Sequence, residues 1–381
     1  MVMDVPLGYL IGIVIVGVGV LFALAPPRRP RPLREIGFFY GLVVNEVPFL
    51  FAYGLIASSI LALVDGDLAG PGGWATAGLT ALPLAGLGVL VARATTAPGA
   101  VDAALEQAIG LRPEHHNRLA RILFAPIAGN HAIERIGNVR YGEHALNRLD
   151  VYRRRSRPPG GPVLVYLHGG GYYSGNKRRE GRPLLHRLAG QGWVCISANY
   201  RLRPSAGWPD HLVDAKKVIA WAREHAAEYG GDPNQIFMAG SSAGGHLSAI
   251  CALTPNAPEF QPGFEQADTT IAAAIPLYGW FGGYYDDPAV MSTPMDYATP
   301  DAPPFFVVHG DRDSMAPVEM AREFVDSLRE VSASPVAYAE LPGGQHVFDM
   351  FHSLRNEAVI DGIEAFTTWV RSRSAAPTMT R

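Results

Sequence analysis

The chain has only two cysteines, Cys195 and Cys251, in 381 residues. Each lies in an apolar run, one read as a strand and the other as a helix. They therefore read as small buried hydrophobes, and no disulfide framework or cysteine metal site follows from them. Lysine is almost missing: Lys177, Lys216 and Lys217 stand alone, and arginine supplies the rest of the positive charge. With a net charge of −3 there is no basic excess to hold a nucleic-acid backbone, so no nucleic-acid partner is expected. Zinc-ligand spacings, phosphate-binding loops and dinucleotide fingerprints are all missing, and neither a metal nor an organic cofactor is expected. There is no internal repeat at solenoid or propeller spacing.

Charge is also scarce over the first ninety residues. Leu7 to Ala25 and Trp74 to Ala92 contain none, and Ile36 to Val64 contains only Glu46. A helix needs about 20 apolar residues to cross a bilayer core of roughly 30 Å, and each stretch is long enough. The arginines follow the first stretch instead of preceding it, which favours a permanent anchor over a cleaved signal peptide. Asn45, Glu46 and Pro48 interrupt the second stretch. Glu46 is expected either at the headgroups, with a helix beginning near Val47, or as a polar contact inside a helix bundle. Arg28, Arg29, Arg31 and Arg34 lie between the first two stretches, whereas Asp65 and Asp67 lie between the second and third. Positive loops stay on the cytoplasmic side. Residues 1–93 are thus expected to be a multi-pass cell-membrane region of about three transmembrane helices, with an external N-terminus and a cytoplasmic catalytic domain.

Residues 94–131 read as helix, a linker or a cap over an active-site mouth, because Ala104, Leu105 and Ala108 and then Leu119, Ile122 and Leu123 recur at helical spacing. From Ile133 the pattern changes. Two strands open a hairpin, Ile133 to Tyr141 and Leu149 to Arg154. Short apolar runs then recur at Pro162 to Leu167, Trp193 to Tyr200, Ile236 to Ala239, Ile271 to Leu277, Phe305 to His309 and Val336 to Leu341. Helical segments separate several of them. The expected class is α/β: a mostly parallel eight-stranded sheet with helices on both faces, over residues 132–373, preceded by the N-terminal helical transmembrane region. Residues 374–381 read as a disordered tail. In such sheets ligands sit at the carboxyl ends of the strands.

The motifs that carry chemistry fall at those ends. Gly240-Ser241-Ser242-Ala243-Gly244 lies between a short strand and a helix, the context of a nucleophile elbow. Ser242 is the candidate nucleophile, and Gly240 and Gly244 are the residues whose missing side chains permit the turn. His168-Gly169-Gly170-Gly171 follows the strand ending at Leu167. Its backbone N–H groups at Gly170 and Gly171, with that of Ala243, are the candidate oxyanion donors. His168 and Gly169 are expected to support that loop, His168 as a hydrogen-bonding structural residue. The order Ser, Asp, His then points to His309-Gly310-Asp311-Arg312-Asp313 and Pro342-Gly343-Gly344-Gln345-His346. Asp313 is the expected acid, with Asp311 as its rival. His346 is the expected base, with His352 as its rival.

These motifs, together with Tyr200-Arg201-Leu202-Arg203-Pro204 and Tyr229-Gly230-Gly231-Asp232-Pro233, resemble the hormone-sensitive-lipase group of bacterial carboxylesterases. More narrowly, the chain is similar to mycobacterial esterases with an N-terminal membrane region. The resemblance runs from about Ile133 to near the C-terminus. It implies an α/β-hydrolase fold, ester hydrolysis through an acyl-enzyme, a Ser242, Asp313 and His346 triad, and no cofactor. Two departures stand out: position 241 is Ser where the group often has Asp, and the acid loop follows the broader His-Gly-x-x-Asp wording. Expected partners are an ester or lipid substrate and, through the N-terminal helices, membrane lipids. A methylesterase acting on prenylated cysteine and a non-catalytic receptor or scaffold are the competing functions. Tyr172, Tyr173, Trp208, Tyr278, Trp280, Phe281, Tyr284 and Tyr285 are expected around the pocket or in its packing. Two basic clusters, Arg153 to Arg155 with Arg157 and Lys177 with Arg178 and Arg179, read as solvated surface or as contacts to anionic lipid.

Overall fold

The structure, a computed structural model, describes residues 5–156, 158–286 and 290–374. The N-terminal helices are α1 (Leu7–Leu24), α2 (Arg31–Glu46), α3 (Pro48–Val64), α4 (Pro71–Leu79), α5 (Ala81–Ala94), α6 (Ala97–Ile109) and α7 (Leu119–Phe124). The sheet region follows as β1 (Ile133–Arg140), β2 (Arg148–Arg154), β3 (Gly161–Leu167), α8 (Arg182–Gly190), β4 (Val194–Ala198), α9 (Asp210–His225), β5 (Gly231–Ser241), α10 (Ala243–Leu253) and β6 (Ala273–Leu277). It closes with β7 (Phe305–Gly310), α11 (Val318–Val331), β8 (Val336–Leu341) and α12 (Leu354–Ser374). Of the tail expected at 374–381, Ser374 ends α12, and the rest lies outside the described residues, as does Arg157.

The eight strands lie in the order β1-β2-β4-β3-β5-β6-β7-β8. The β1–β2 and β2–β4 pairs are antiparallel and the others parallel, as the opening hairpin and the later alternation require. The period of two assigns the side chains to faces. In β3, Val163, Val165 and Leu167 enter the core under α9 and α10, whereas Leu164 and Tyr166 enter the core under α6, α8 and α12. Because helices cover both faces, β3 reads as a continuous apolar run and not as an alternation. Helix α8 buries Leu184, Leu185, Leu188 and Ala189 on one face.

The segment expected as a linker or cap is divided. Helix α6 buries Ala97, Val101, Ala104 and Leu105 on one stripe against β8 and α12, so it is a layer of the main core. Val101 and Leu105 each contribute about 1.5–3 kcal/mol by leaving water. Helix α7 leaves Leu119 and Phe124 exposed, with the Phe124 ring stacked 6.3 Å from that of Tyr53 on α3.

Two helical stretches are long and apolar enough to cross a membrane, Leu7–Leu24 and the Pro71–Ile109 run. The second expected stretch is not one continuous span: α2 and α3 meet at an 85° bend. Pro48 has no N–H to donate and disfavours helical geometry at Val47, which takes φ −125° and ψ 52°. A helix does begin beside Val47, at Pro48, but Glu46 is turned into the protein. Its carboxylate is buried against the sheet domain and paired with Arg355 at 3.2 Å. The polar contact inside the apolar helices comes instead from Tyr9, whose hydroxyl bonds Ser59 and Thr80, each at 2.7 Å.

The arginine loop after α1 lies beside the sheet domain, with Arg28 3.7 Å from Glu319 of α11. Helix α5 ends there too: Arg93 donates to Leu24 O at 3.4 Å and packs on Gly343. Of the basic clusters, Arg153 pairs with Glu134 at 2.7 Å, Lys177 and Arg178 with Asp150 at 3.2 Å each, and Arg179 with Glu180 at 2.9 Å. Arg154 and Arg155 of the first cluster are exposed.

Candidate active site

Ser242 lies between β5 and α10 with φ +54° and ψ −116°, a conformation that a residue with a side chain adopts only when its surroundings force it. The reason is visible at the flanking glycines. A Cβ on Gly240 would stand 2.2 Å from Gly244 O, and one on Gly244 would stand 2.1 Å from Leu167 O. The elbow therefore needs both glycines, and it holds Ser242 half-buried at the N-terminus of α10.

His346 and Asp313 arrive from the ends of β8 and β7. His346 Nε2 stands 2.9 Å from Ser242 Oγ, and His346 Nδ1 stands 2.6 Å from Asp313 Oδ2. The other carboxylate oxygen, Oδ1, accepts the N–H groups of Met315 and Ala316, each at 2.8 Å. Asp313 is fully buried. Burial alone would raise its pKa, but the charges and hydrogen bonds of His346 and His309 prevail and hold the carboxyl well below the ordinary range. The imidazole of His346 lies between two rings, Tyr278 at 4.7 Å and Phe38 of α2 at 6.0 Å.

The rival residues do other things. Asp311 accepts the Gly343 N–H at 2.7 Å and makes no bond to His346. His352 bonds Glu357 and the Ala128 carbonyl. His168 donates from Nδ1 to Gly169 O at 2.7 Å and stacks on Tyr200 at 4.5 Å. Burial lowers its pKa to about 4, so it is neutral at physiological pH.

The glycine loop lies against the serine. Glu180 Oε2 accepts the Gly169 N–H at 2.5 Å, which removes that donor from any substrate. The Gly170 carbonyl accepts from the backbone N–H groups of Tyr173 and Ser174, each at 3.1 Å, and the Gly171 carbonyl accepts from the Tyr285 hydroxyl. A planar peptide points its N–H away from its C=O. With the Gly169 and Gly170 carbonyls so held, the N–H groups of Gly170 and Gly171 face the opposite way. Among the described residues, none accepts from Gly170, Gly171 or Ala243 N–H.

A serine, histidine and aspartate joined in this order at the strand ends of one sheet can pass a proton from the hydroxyl to the imidazole. Relatives bear on the chemistry. The probable carboxylic ester hydrolase LipM of Mycobacterium tuberculosis is 38% identical over 92% of this chain and 91% of its own. The chain belongs to this family of carboxylic ester hydrolases. Esterase LipQ of the same organism is 40% identical over 58% of each chain. A BD-FAE family model matches residues 149–282 of this hydrolase. Thermogutta terrifontis esterase 2 superposes with a TM-score of 0.54 at 24% identity, over 65% of this chain and 97% of its own, a likeness of fold.

Several residues of the hydrolase site carried no signal in the sequence. Gln345 Oε1 accepts from Ser314 N at 2.8 Å and from His346 N at 2.9 Å, tying the acid loop to the base loop. Asp349 is buried beneath the elbow and accepts from Ser241 Oγ at 2.9 Å, Tyr166 at 2.5 Å and Tyr278. Burial pushes the Asp349 carboxyl up. Glu180 could have been noticed as the acid closing the run Lys177-Arg178-Arg179. The eight aromatics divide: Tyr173 and Tyr285 are exposed beside the glycine loop, Tyr278 touches His346, and Trp280 Nε1 donates to Gly283 O at 2.9 Å. Phe281 stacks on Phe324 in the core, and Tyr172, Trp208 and Tyr284 pack around His211 and His246.

Proposed function

We propose that the protein is a membrane-held serine esterase in which Ser242 attacks the carbonyl carbon of a carboxylic ester. The reading is carried by the unbroken hydrogen-bonded chain from Asp313 through His346 to Ser242. As Ser242 Oγ bonds to the carbonyl carbon, its proton passes to His346 Nε2, and Asp313 stabilises the imidazolium. The oxyanion faces the N–H groups of Gly170, Gly171 and Ala243, each worth about 3 kcal/mol in the transition state. Collapse expels the alcohol, which takes the proton from His346 and leaves the acyl group on Ser242. Water, deprotonated by His346, then attacks the acyl carbon and frees the carboxylic acid and the serine. Kinship with LipM over nearly the whole chain favours this reading over a prenylcysteine methylesterase, and the complete triad speaks against a scaffold. Rapid covalent labelling by a fluorophosphonate, competed by a short soluble ester, tests it. An unlabelled folded protein would overturn it.

The same proposal extends to the membrane. Residues 1–93 form the anchoring region, with α1, α3 and the α4–α5 run as its crossings and α2 held at the catalytic side. The arginine loop and the hydrolase unit share one side, whereas Asp65 and Asp67 lie at the far end of α3, about 25 Å away at 1.5 Å per residue. Positive loops stay cytoplasmic, which places the catalytic unit inside and the N-terminus outside. Side-specific reporters fused near Arg31, near Asp67 and after Arg381 should report inside, outside and inside. An external signal at Arg381 would reverse the orientation.

A further inference from the structure

We propose that the elbow between α2 and α3 belongs to the catalytic apparatus, with Asn45 and Glu46 as positioning residues for the loop that carries His346. The inference rests on the reading of His346 as the base. Asn45 Nδ2 donates to the Gly343 carbonyl at 3.0 Å and to Glu46 Oε1 at 2.9 Å. Arg355 bridges the same two segments: Nε donates to the Pro342 carbonyl at 3.1 Å, and Nη1 reaches Glu46 Oε1 at 3.2 Å and the Asn45 carbonyl at 3.3 Å. Ser353 Oγ donates to Glu46 Oε2 at 2.7 Å. Asn45, Glu46, Ser353 and Arg355 are all buried. The turn at Pro342-Gly343 is thus gripped from one side by α2 and from the other by Asp311, three residues before the imidazole.

Helix α2 touches the loop a second time. Phe38, Leu42, Asn45 and Glu46 recur at i, i+4, i+7 and i+8, which puts them on one face. At the upstream end of that face the Phe38 ring packs edge-on against the His346 ring at 6.0 Å. The loop itself is under strain, since Val347, directly after the histidine, has φ +65°. A β-branched residue stays in that region only where the surroundings over-determine it. The two α2 contacts, together with Gln345, supply that determination.

A positioning role also explains why the clamp is ionic. A buried ion pair adds little net stability compared with apolar residues of the same shape. Its directionality, however, fixes where the Pro342 and Gly343 carbonyls lie. The base must keep Nε2 within hydrogen-bonding reach of Ser242 Oγ, and a displacement of about 1 Å can lower the rate about a hundredfold. The geometry makes the N-terminal helices a working part of the enzyme as well as its anchor.

The test uses the full-length protein in lipid nanodiscs, with active serines counted by fluorophosphonate titration and kinetics followed on a short soluble ester. Glu46→Gln should lower kcat per titrated site by about tenfold or more while KM moves less than about threefold, the signature of a displaced catalytic group. Asn45→Ala, which leaves the ion pair in place, should lower it in the same direction by about threefold or more. Glu46→Asp should recover part of the loss. If kcat per titrated site equals that of the wild type in both variants, the clamp only anchors the helix and the proposal is wrong, whatever happens to yield or melting temperature. Should Glu46→Gln fail to fold, Asn45→Ala decides alone. A wild-type protein that takes no label at Ser242 would instead remove the underlying assignment.

Discussion

Ser242→Ala is expected to remove ester hydrolysis by about six orders of magnitude in kcat, the loss seen when an activated serine is deleted from a triad. The variant should fold, because the elbow geometry depends on Gly240 and Gly244, and alanine demands no more space than serine. The neighbouring hydroxyl cannot take over. Ser241 is fully buried, and its Oγ is already held by Asp349 and Tyr166. Fluorophosphonate labelling should therefore vanish altogether, and mass spectrometry of labelled wild-type peptides should place the adduct on Ser242. A label that survives in the variant, on Ser241 or elsewhere, would end the assignment.

Asp313→Asn should lower kcat by about four orders of magnitude while leaving the Ser242 label detectable at a slower rate. The amide can still accept from Met315 and Ala316 through Oδ1, so the loop should keep its shape. Its NH₂ group, however, faces His346 Nδ1 where a carboxylate oxygen stood. That favours the tautomer with a protonated Nε2, which cannot accept the serine proton. Asp311→Asn should lower kcat by no more than about tenfold, because what it weakens is one hydrogen bond to Gly343 N–H. Paired measurement of kcat for the two variants gives the answer, and a reversal of their order would make Asp311 the acid.

The strands and the candidate reactive residues were legible because their signals are local. Pro162 to Leu167 form one unbroken apolar run, and Gly240 to Gly244 form one turn whose steric demands act over five residues. The order of Ser242, Asp313 and His346 follows from strand ends, so their meeting could be expected once the sheet was. Helix α6 was harder to read. Its apolar stripe said that the face is buried but not against what, and only the packing on β8 and α12 distinguishes a core layer from a cap. Gln345 and Asp349 left no trace, because a single polar side chain in a loop has no period.

The amino-acid order by itself determined the α/β class, the elbow, the glycine loop and the candidate reacting groups, since each rests on backbone sterics or short-range periodicity. It also placed the break at Pro48, where the missing N–H and the restriction on Val47 act on adjacent residues. What the tertiary structure alone decided is the destination of Glu46. A lone acid in an apolar stretch can face headgroups, a helix bundle or another domain, and all three satisfy the same local pattern. The choice depends on an arginine 309 positions away, brought close by the sheet and α12. An ion pair so distant in sequence leaves no mark on either segment, because its energy exists only once both ends are folded.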